Sequence, residues 1–331
     1  MTISLSSLIA PTPKPIINEH AELVQRRLVH ICRQLDIYQE HLHEYNTMSA
    51  YLFPYANEQQ LLVIGLYNNF LYYVDDTFDR HKELEIDDSV MMSIFKDAAK
   101  VFETGCHPEN PNPITNAIFE IRTQLIEVAP NDEWFGRFFK NTIEHLLSSL
   151  ETTDSRLPNE STSWFDYYNE IRDLDSGMAP TLDLIELALG YTIADDIYQN
   201  PHIKEAQKCV IRYCSLSNDL FSYDKEVVKF NSDFSAIVML ERDGYPFEEA
   251  VALLIDELNA MVTDFSTIYS RIRSKELAIE IPEQALFYMD CLWYQIVAAY
   301  HWQFNTNRYR SPESTFQELR TPLAIGRRTK Q

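Results

Sequence analysis

The stretch that most constrains this chain is a nearly unbroken apolar run, Leu61 to Val74, that ends in the carboxylates Asp75, Asp76 and Asp79. A run of this kind reads as a buried helix. On a helix Asp75 and Asp79 share one face and Asp76 lies beside them. Burying carboxylates is costly unless positive charge meets them. Two unit charges about 4 Å apart repel by roughly 4 kcal/mol at an effective dielectric of about 20. The cluster therefore calls for a counter-ion, and a hard divalent cation held by oxygen, Mg²⁺ above all, suits it. A solvated acidic helix end is the plain alternative.

The rest of the chain suits a helical fold. Only 7 of 331 residues are Gly, few for a chain of many hairpins, while 45% are hydrophobic and fall in long segments of helical period. The expected fold class is all-α, in one domain. The balance of 28 basic and 50 acidic residues, a net charge of −22, argues against nucleic acid or an anionic membrane as partner. An anionic substrate would then need a local positive site, which bound metal can supply. Five scattered cysteines without a CxxC pair read as reduced core residues. Neither a signal peptide nor a run of transmembrane length stands out, and a cytoplasmic location is expected.

Residues 1–17, with Pro11, Pro13 and Pro15, read as an extended N-terminal arm. Residues 18–310 read as the helical domain and 311–331 as a polar, basic C-terminal tail. Helices are expected over about 19–36, from 61, from an N-cap at Ser89 to Gly105, and over 114–128, 132–151, 162–174, 202–228, 246–273 and 283–309. Asp87-Asp88 and Asp195-Asp196 read as loops or caps, without metal. Between Asp175 and Pro180 a Gly and a Pro interrupt helical sequence, and such a break frees backbone carbonyls.

Asn218, Ser222 and Glu226 stand at i, i+4 and i+8, so an amide, a hydroxyl and a carboxylate form one stripe. Such a stripe suits a hard cation, and Lys225 beside it could meet an anion held by the same metal. A polar helix face is the bland alternative.

Together these motifs resemble those of class I terpene synthases (terpene cyclases) of the microbial single-domain type. Asp75, Asp76 and Asp79 match the DDxxD motif, and Asn218 to Glu226 match NDxxSxxxE. Arg172, 46 residues before Asn218, matches a diphosphate-sensing arginine, and Arg308-Tyr309 matches a C-terminal pair that donates to the diphosphate. The resemblance implies a helical bundle around an apolar cavity, with Asp75, Asp76, Asp79, Asn218, Ser222 and Glu226 around three Mg²⁺ ions. It implies diphosphate binding by Arg172, Lys225, Arg308 and Tyr309. It makes Asp175 a linker and Ser176 an effector whose carbonyl points at substrate. It makes Asp75 the foremost metal ligand and gives Asp76 to Arg308 when the site closes. Trp302, six residues before Arg308, is the foremost cavity aromatic, with Phe53, Tyr72 and Phe78 behind it.

The implied activity is that of a carbon–oxygen lyase: ionisation and cyclisation of a linear prenyl diphosphate, with farnesyl diphosphate favoured on family frequency. A geranylgeranyl diphosphate cyclase, a chain-elongating prenyltransferase and a non-catalytic prenyl-diphosphate-binding protein are the alternatives. The oligomeric state stays open, a homodimer included.

Overall fold

The core is built on the apolar run. Leu61, Leu62, Val63, Ile64, Leu66, Tyr67, Phe70 and Val74 are all buried, each contributing about 1.5–3 kcal/mol of apolar burial. A helix apolar on nearly every side must be covered on every side. In the computed structural model, which describes residues 3–81, 88–148, 163–274 and 282–320, this helix occupies a central position. The helices are α1 (Ala21–Gln34), α2 (Leu42–Leu52), α3 (Glu58–His81), α4 (Asp88–Thr104), α5 (Pro113–Val128), α6 (Asp132–Ser148) and α7 (Trp164–Asp175). After them come α8 (Met178–Leu189), α9 (Asp195–Tyr198), α10 (Pro201–Tyr223), α11 (Ala236–Arg242), α12 (Phe247–Arg273) and α13 (Glu283–Asn305). The described residues contain no strand, only an isolated bridge between Ile3 and Phe316. None of the described helices is long and apolar enough to cross a membrane.

The side-chain amides of Asn68 and Asn69 in the central helix donate to α2, as burial favours, although Asn69 Oδ1 has no partner among the described residues. Asn68 donates to Ser49 Oγ at 2.9 Å and Asn69 to Asn46 Oδ1 at 2.6 Å. These bonds, with the Tyr45–Tyr72 ring stack, run α2 antiparallel to α3. Helix α13 is also antiparallel to α2, since Gln295 meets Leu52 while Trp302 meets Glu44. Helix α10 runs parallel to α13: Gln207 meets Tyr288, and Asn218 meets Tyr309. The C-terminal ends of α3, α10 and α13 therefore point to one pole. Helix α6 joins them, its Thr142 hydroxyl 3.2 Å from the Tyr67 hydroxyl.

Several expected boundaries shift. Helices α2 and α11 were not expected. Ser89 lies inside the first turn of α4 rather than capping it, and Asp195-Asp196 opens a short helix rather than a loop. The helix expected over 202–228 changes to π-type turns over Asp224–Lys229, and the one expected to reach 309 ends at Asn305, followed by a 3₁₀ turn at Asn307–Tyr309. Asp87, residues 149–151 and 162, and the tail from 321 onward lie outside the described residues. Residues 311–320, expected in the polar tail, fold back on the body. Phe316 and Leu319 are fully buried there, and Asp224 accepts from the Ser314 and Thr315 hydroxyls at 2.5 and 2.6 Å. The N-terminal arm lies against this segment: Ile3 N donates to Thr315 O at 3.0 Å, and Leu5 and Leu8 are buried. The cysteines are all free, with Cys32, Cys214 and Cys291 buried.

Candidate active site

At the shared pole the two motifs meet through cations. Arg308 Nη2 donates to Asp76 Oδ1 at 2.8 Å and to Asp75 Oδ2 at 3.0 Å, and Nη1 reaches Asp76 Oδ2 at 3.2 Å and the Tyr45 hydroxyl. Lys225 Nζ lies 3.3 Å from Asp76 Oδ1, 3.5 Å from Asp75 Oδ2 and 3.9 Å from Glu226 Oε1. Thus α3 is tied to the end of α10 and to the segment after α13. Burial alone would raise the Asp76 carboxyl, but Arg308 and Lys225 outweigh it and hold it below its ordinary value. Gln39 adds a donor to Asp76 Oδ2 at 2.7 Å. The expected division of labour is less sharp in the structure, because Arg308 grips both carboxylates. Asp75 is the more open of the two, its side chain 51% exposed against 24% for Asp76. The side chains of Phe78 and Asp79 lie outside the described set.

Arg308 is held by two tyrosine rings and by the turn that carries it. Its guanidinium sits 5.3 and 5.1 Å from the ring centres of Tyr45 and Tyr72, which stack at 3.9 Å. Glu44 holds the turn that carries it, accepting from the Thr306 hydroxyl, from Asn307 N at 2.7 Å and from Arg308 N at 3.3 Å. Burial opposes ionisation of Glu44, yet bonds from His41, Thr306 and Asn307 lower its pKa to about 2. Trp302 is buried, donates to Glu44 O at 2.8 Å, and packs 6.0 Å from Tyr72 and 5.7 Å from Tyr309. Phe53 is buried beyond the C-terminal end of α2, eight residues or about 12 Å of helix from Tyr45. The structure does not bring it to the carboxylates.

The second motif faces the same space. Asn218 Nδ2 donates to the Tyr309 hydroxyl at 2.8 Å, while Arg172 Nη2 donates to Asn218 Oδ1 at 3.3 Å. Asp219 lies off the stripe of Asn218, Ser222 and Glu226 and anchors Arg172, accepting from its Nε at 3.1 Å, with Nη2 at 2.9 Å. It also accepts from the Tyr168 hydroxyl at 2.5 Å and from Ala236 N at 3.1 Å. Burial works against the Arg172 charge, but Asp219 and its neighbours raise its pKa well above the ordinary value. Arg172 Nη1 also donates to Asp175 Oδ2 at 3.2 Å. The helix breaks immediately after: Ser176 N closes α7 on Arg172 O at 3.1 Å, and Gly177 takes a left-handed φ of +67° before α8 begins. Pro180 offers no N–H to the Ser176 carbonyl four residues earlier.

Gln39, Glu44 and Tyr45 leave no mark in the local pattern, because their partners are distant along the chain. Asp219 did carry a signal: a carboxylate flanked by Leu220 and Phe221 on a helix needs a buried cation.

A hard metal fits the second motif. Ser222 is fully buried, and its Oγ has no hydrogen-bond partner among the described residues, an arrangement that is costly unless something binds the oxygen. Asn218 Oδ1 precedes it by one turn, and the Glu226 carboxylate follows it. Among the described residues no three His, Cys, Asp or Glu side chains converge, so any metal here draws on amide and hydroxyl oxygens as well. A hollow of about 620 Å³ lined by Tyr191, Arg273 and Phe287 lies at the other end of α13, away from these groups.

Comparison with known proteins agrees with this geometry. Terpene synthase 9 of Dictyostelium purpureum is 23% identical over 295 residues, covering 85% of this chain and 83% of its own. The (+)-eremophilene synthase of Sorangium cellulosum is 21% identical over 273 residues, 82% of this chain and 80% of its own. The crystal structure of germacradien-4-ol synthase from Streptomyces citricolor superposes with a TM-score of 0.77 at 15% identity, covering 91% of this chain and 99% of that one. Residues 67–264, which take in both motifs and the helix break, match the family described as terpene synthase family 2, C-terminal metal binding, and the chain belongs to that family.

Proposed function

We propose that the protein ionises and cyclises a linear prenyl diphosphate with Mg²⁺, releasing diphosphate, and that its substrate is farnesyl diphosphate. The observation that carries this reading is the bridge of Arg308 and Lys225 to Asp75 and Asp76, which sets three cations, Arg172 included, around one pole between two oxygen-rich motifs. Asp75, on α3, and Asn218, Ser222 and Glu226, from α10 onward, would hold three Mg²⁺ ions, with Asp76 and Asp79 supporting them. When bound, the metal supplies positive charge to the leaving diphosphate oxygens.

The chain's own groups do the rest. Arg308 and Lys225 already face anionic oxygens, so a bound diphosphate would meet cations that are already held in place. Arg172, fixed by Asp219, which Tyr168 holds in turn, presents a rigid donor to the leaving group. Burial raises the Tyr309 pKa to about 12, so its hydroxyl keeps its proton and can donate. The electron-rich faces of Tyr72 and Trp302 suit stabilisation of a carbocation. Asp175 holds the Arg172 end of the break, and the Ser176 carbonyl turns toward the allylic carbon.

The test is incubation with geranyl, farnesyl and geranylgeranyl diphosphate and Mg²⁺, with products read by gas chromatography and mass spectrometry. Cyclic C15 products from farnesyl diphosphate are expected. Cyclic products from the C20 substrate alone would move the substrate assignment. Chain-lengthened diphosphates formed only when isopentenyl diphosphate is added would replace cyclisation with elongation.

A further inference from the structure

The break between α7 and α8 is held from outside by a residue that neither motif contains. Helix α8 runs antiparallel to α6, since Asp183 and Glu186 meet Arg137 and Gly177 meets His145. Consequently the His145 ring arrives at the site pole, beside the break. Its buried imidazole makes a hydrogen bond to the Asp175 backbone that favours the protonated ring, so the imidazole donates and the carbonyl accepts. A Cβ at Gly177 would meet His145 Nε2 at 3.2 Å and Cε1 at 3.3 Å, and Leu71 Cδ1 at 3.4 Å. Leu71 lies one turn before Asp75 on α3. The absent side chain of Gly177 thus leaves a notch, closed on one side by α6 and on the other by the helix that carries the carboxylates.

These contacts divide the two carbonyls at the break. The one at Asp175 is taken by His145, and the one at Ser176 is released from the helix by Pro180. With the plane that carries the Asp175 carbonyl pinned, only φ and ψ of Ser176 are left to set the direction of the next carbonyl. We propose that His145 is a positioning residue for the reaction: by donating to the Asp175 carbonyl and filling the notch beside Gly177, it fixes the direction of the Ser176 carbonyl. This rests on the cyclase reading above, in which that carbonyl faces the substrate. Burial lowers the His145 pKa, so the ring is neutral with one N–H to give.

The experiment compares wild type with His145→Phe, which keeps a ring and loses the N–H, and His145→Gln, which keeps a donor. With farnesyl diphosphate, His145→Phe should lower kcat by ~10- to 100-fold, leave KM within about twofold, and broaden the product mixture. His145→Gln should recover most of both kcat and product fidelity. Wild-type kcat and products in His145→Phe, or equal impairment in both variants, would overturn the proposal and leave the cyclase reading standing. No turnover by folded wild type would overturn both. Gly177→Ala tests the contact from the other side, whether or not the Phe variant folds. It should lower kcat, and combined with His145→Ala it should cost less than the product of the separate fold-losses; strict multiplicativity would overturn the contact.

Discussion

Two groups of paired charge sit on different helices of this molecule and are built differently. At the site pole, Arg308 and Lys225 are each shared between Asp75 and Asp76, and the Ser222 oxygen has no partner among the described residues. Toward the other end, one arginine serves two carboxylates: Arg137 Nε donates to Asp183 Oδ1 at 2.8 Å, and Nη2 donates to Glu186. Asn141 occupies Asp183 Oδ2 at 2.6 Å, and Ile193 N occupies Glu186 Oε1 at 2.6 Å. All four carboxylate oxygens there have a donor. Exchangeable partners mark the pole where a ligand can enter; a saturated network marks the one that fastens α6, α8 and the loop before α9.

The contrast can be broken from either side. Asn218→Ala should lower turnover by ~1000-fold or more and leave the melting temperature nearly unchanged, read by diphosphate release and calorimetry. Arg137→Met should do the reverse. It leaves two buried carboxylates uncompensated and should cost about 3–5 kcal/mol in urea unfolding, with turnover retained wherever the protein is folded. A loss of activity in the folded Arg137 variant would join the two groups that the account separates.

How much of this was legible follows from the range of each interaction. The stripe of Asn218, Ser222 and Glu226 and the paired Asp75 and Asp76 are local spacings, so helical geometry alone exposed them. Helix α2 escaped because Asn46 and Ser49 are among its buried residues, interrupting the apolar period; their partners sit on α3. Glu44 and Tyr45 escaped because they act on residues 263 positions away. The turn to π-type bonding begins at Asp224, the residue that accepts from Ser314 and Thr315, contacts that no local pattern encodes. His145 and Arg137 looked like ordinary members of an amphipathic helix.

Smaller effects sharpen the comparison. Burial raises Glu186 to about 7, against the partial relief that Arg137 gives. Between the ordinary carboxyl range and about pH 7 the folded chain holds a proton that the unfolded chain has lost. Its contribution to stability therefore falls as pH rises through that window, by up to about 3 kcal/mol. Glu186→Gln should flatten that part of a pH–stability curve; an unchanged slope would contradict a raised pKa. At the site pole, Glu44→Gln should loosen the turn bearing Arg308 and raise KM about 3- to 10-fold, a loss of about 1 kcal/mol.

The central claim is that the two motifs act together on a prenyl diphosphate. Its most direct test is release of inorganic diphosphate from farnesyl diphosphate by purified protein, with Mg²⁺ and again with excess chelator. Steady release with Mg²⁺ and none with chelator is expected. No release from farnesyl, geranyl or geranylgeranyl diphosphate by folded protein with Mg²⁺ would contradict it.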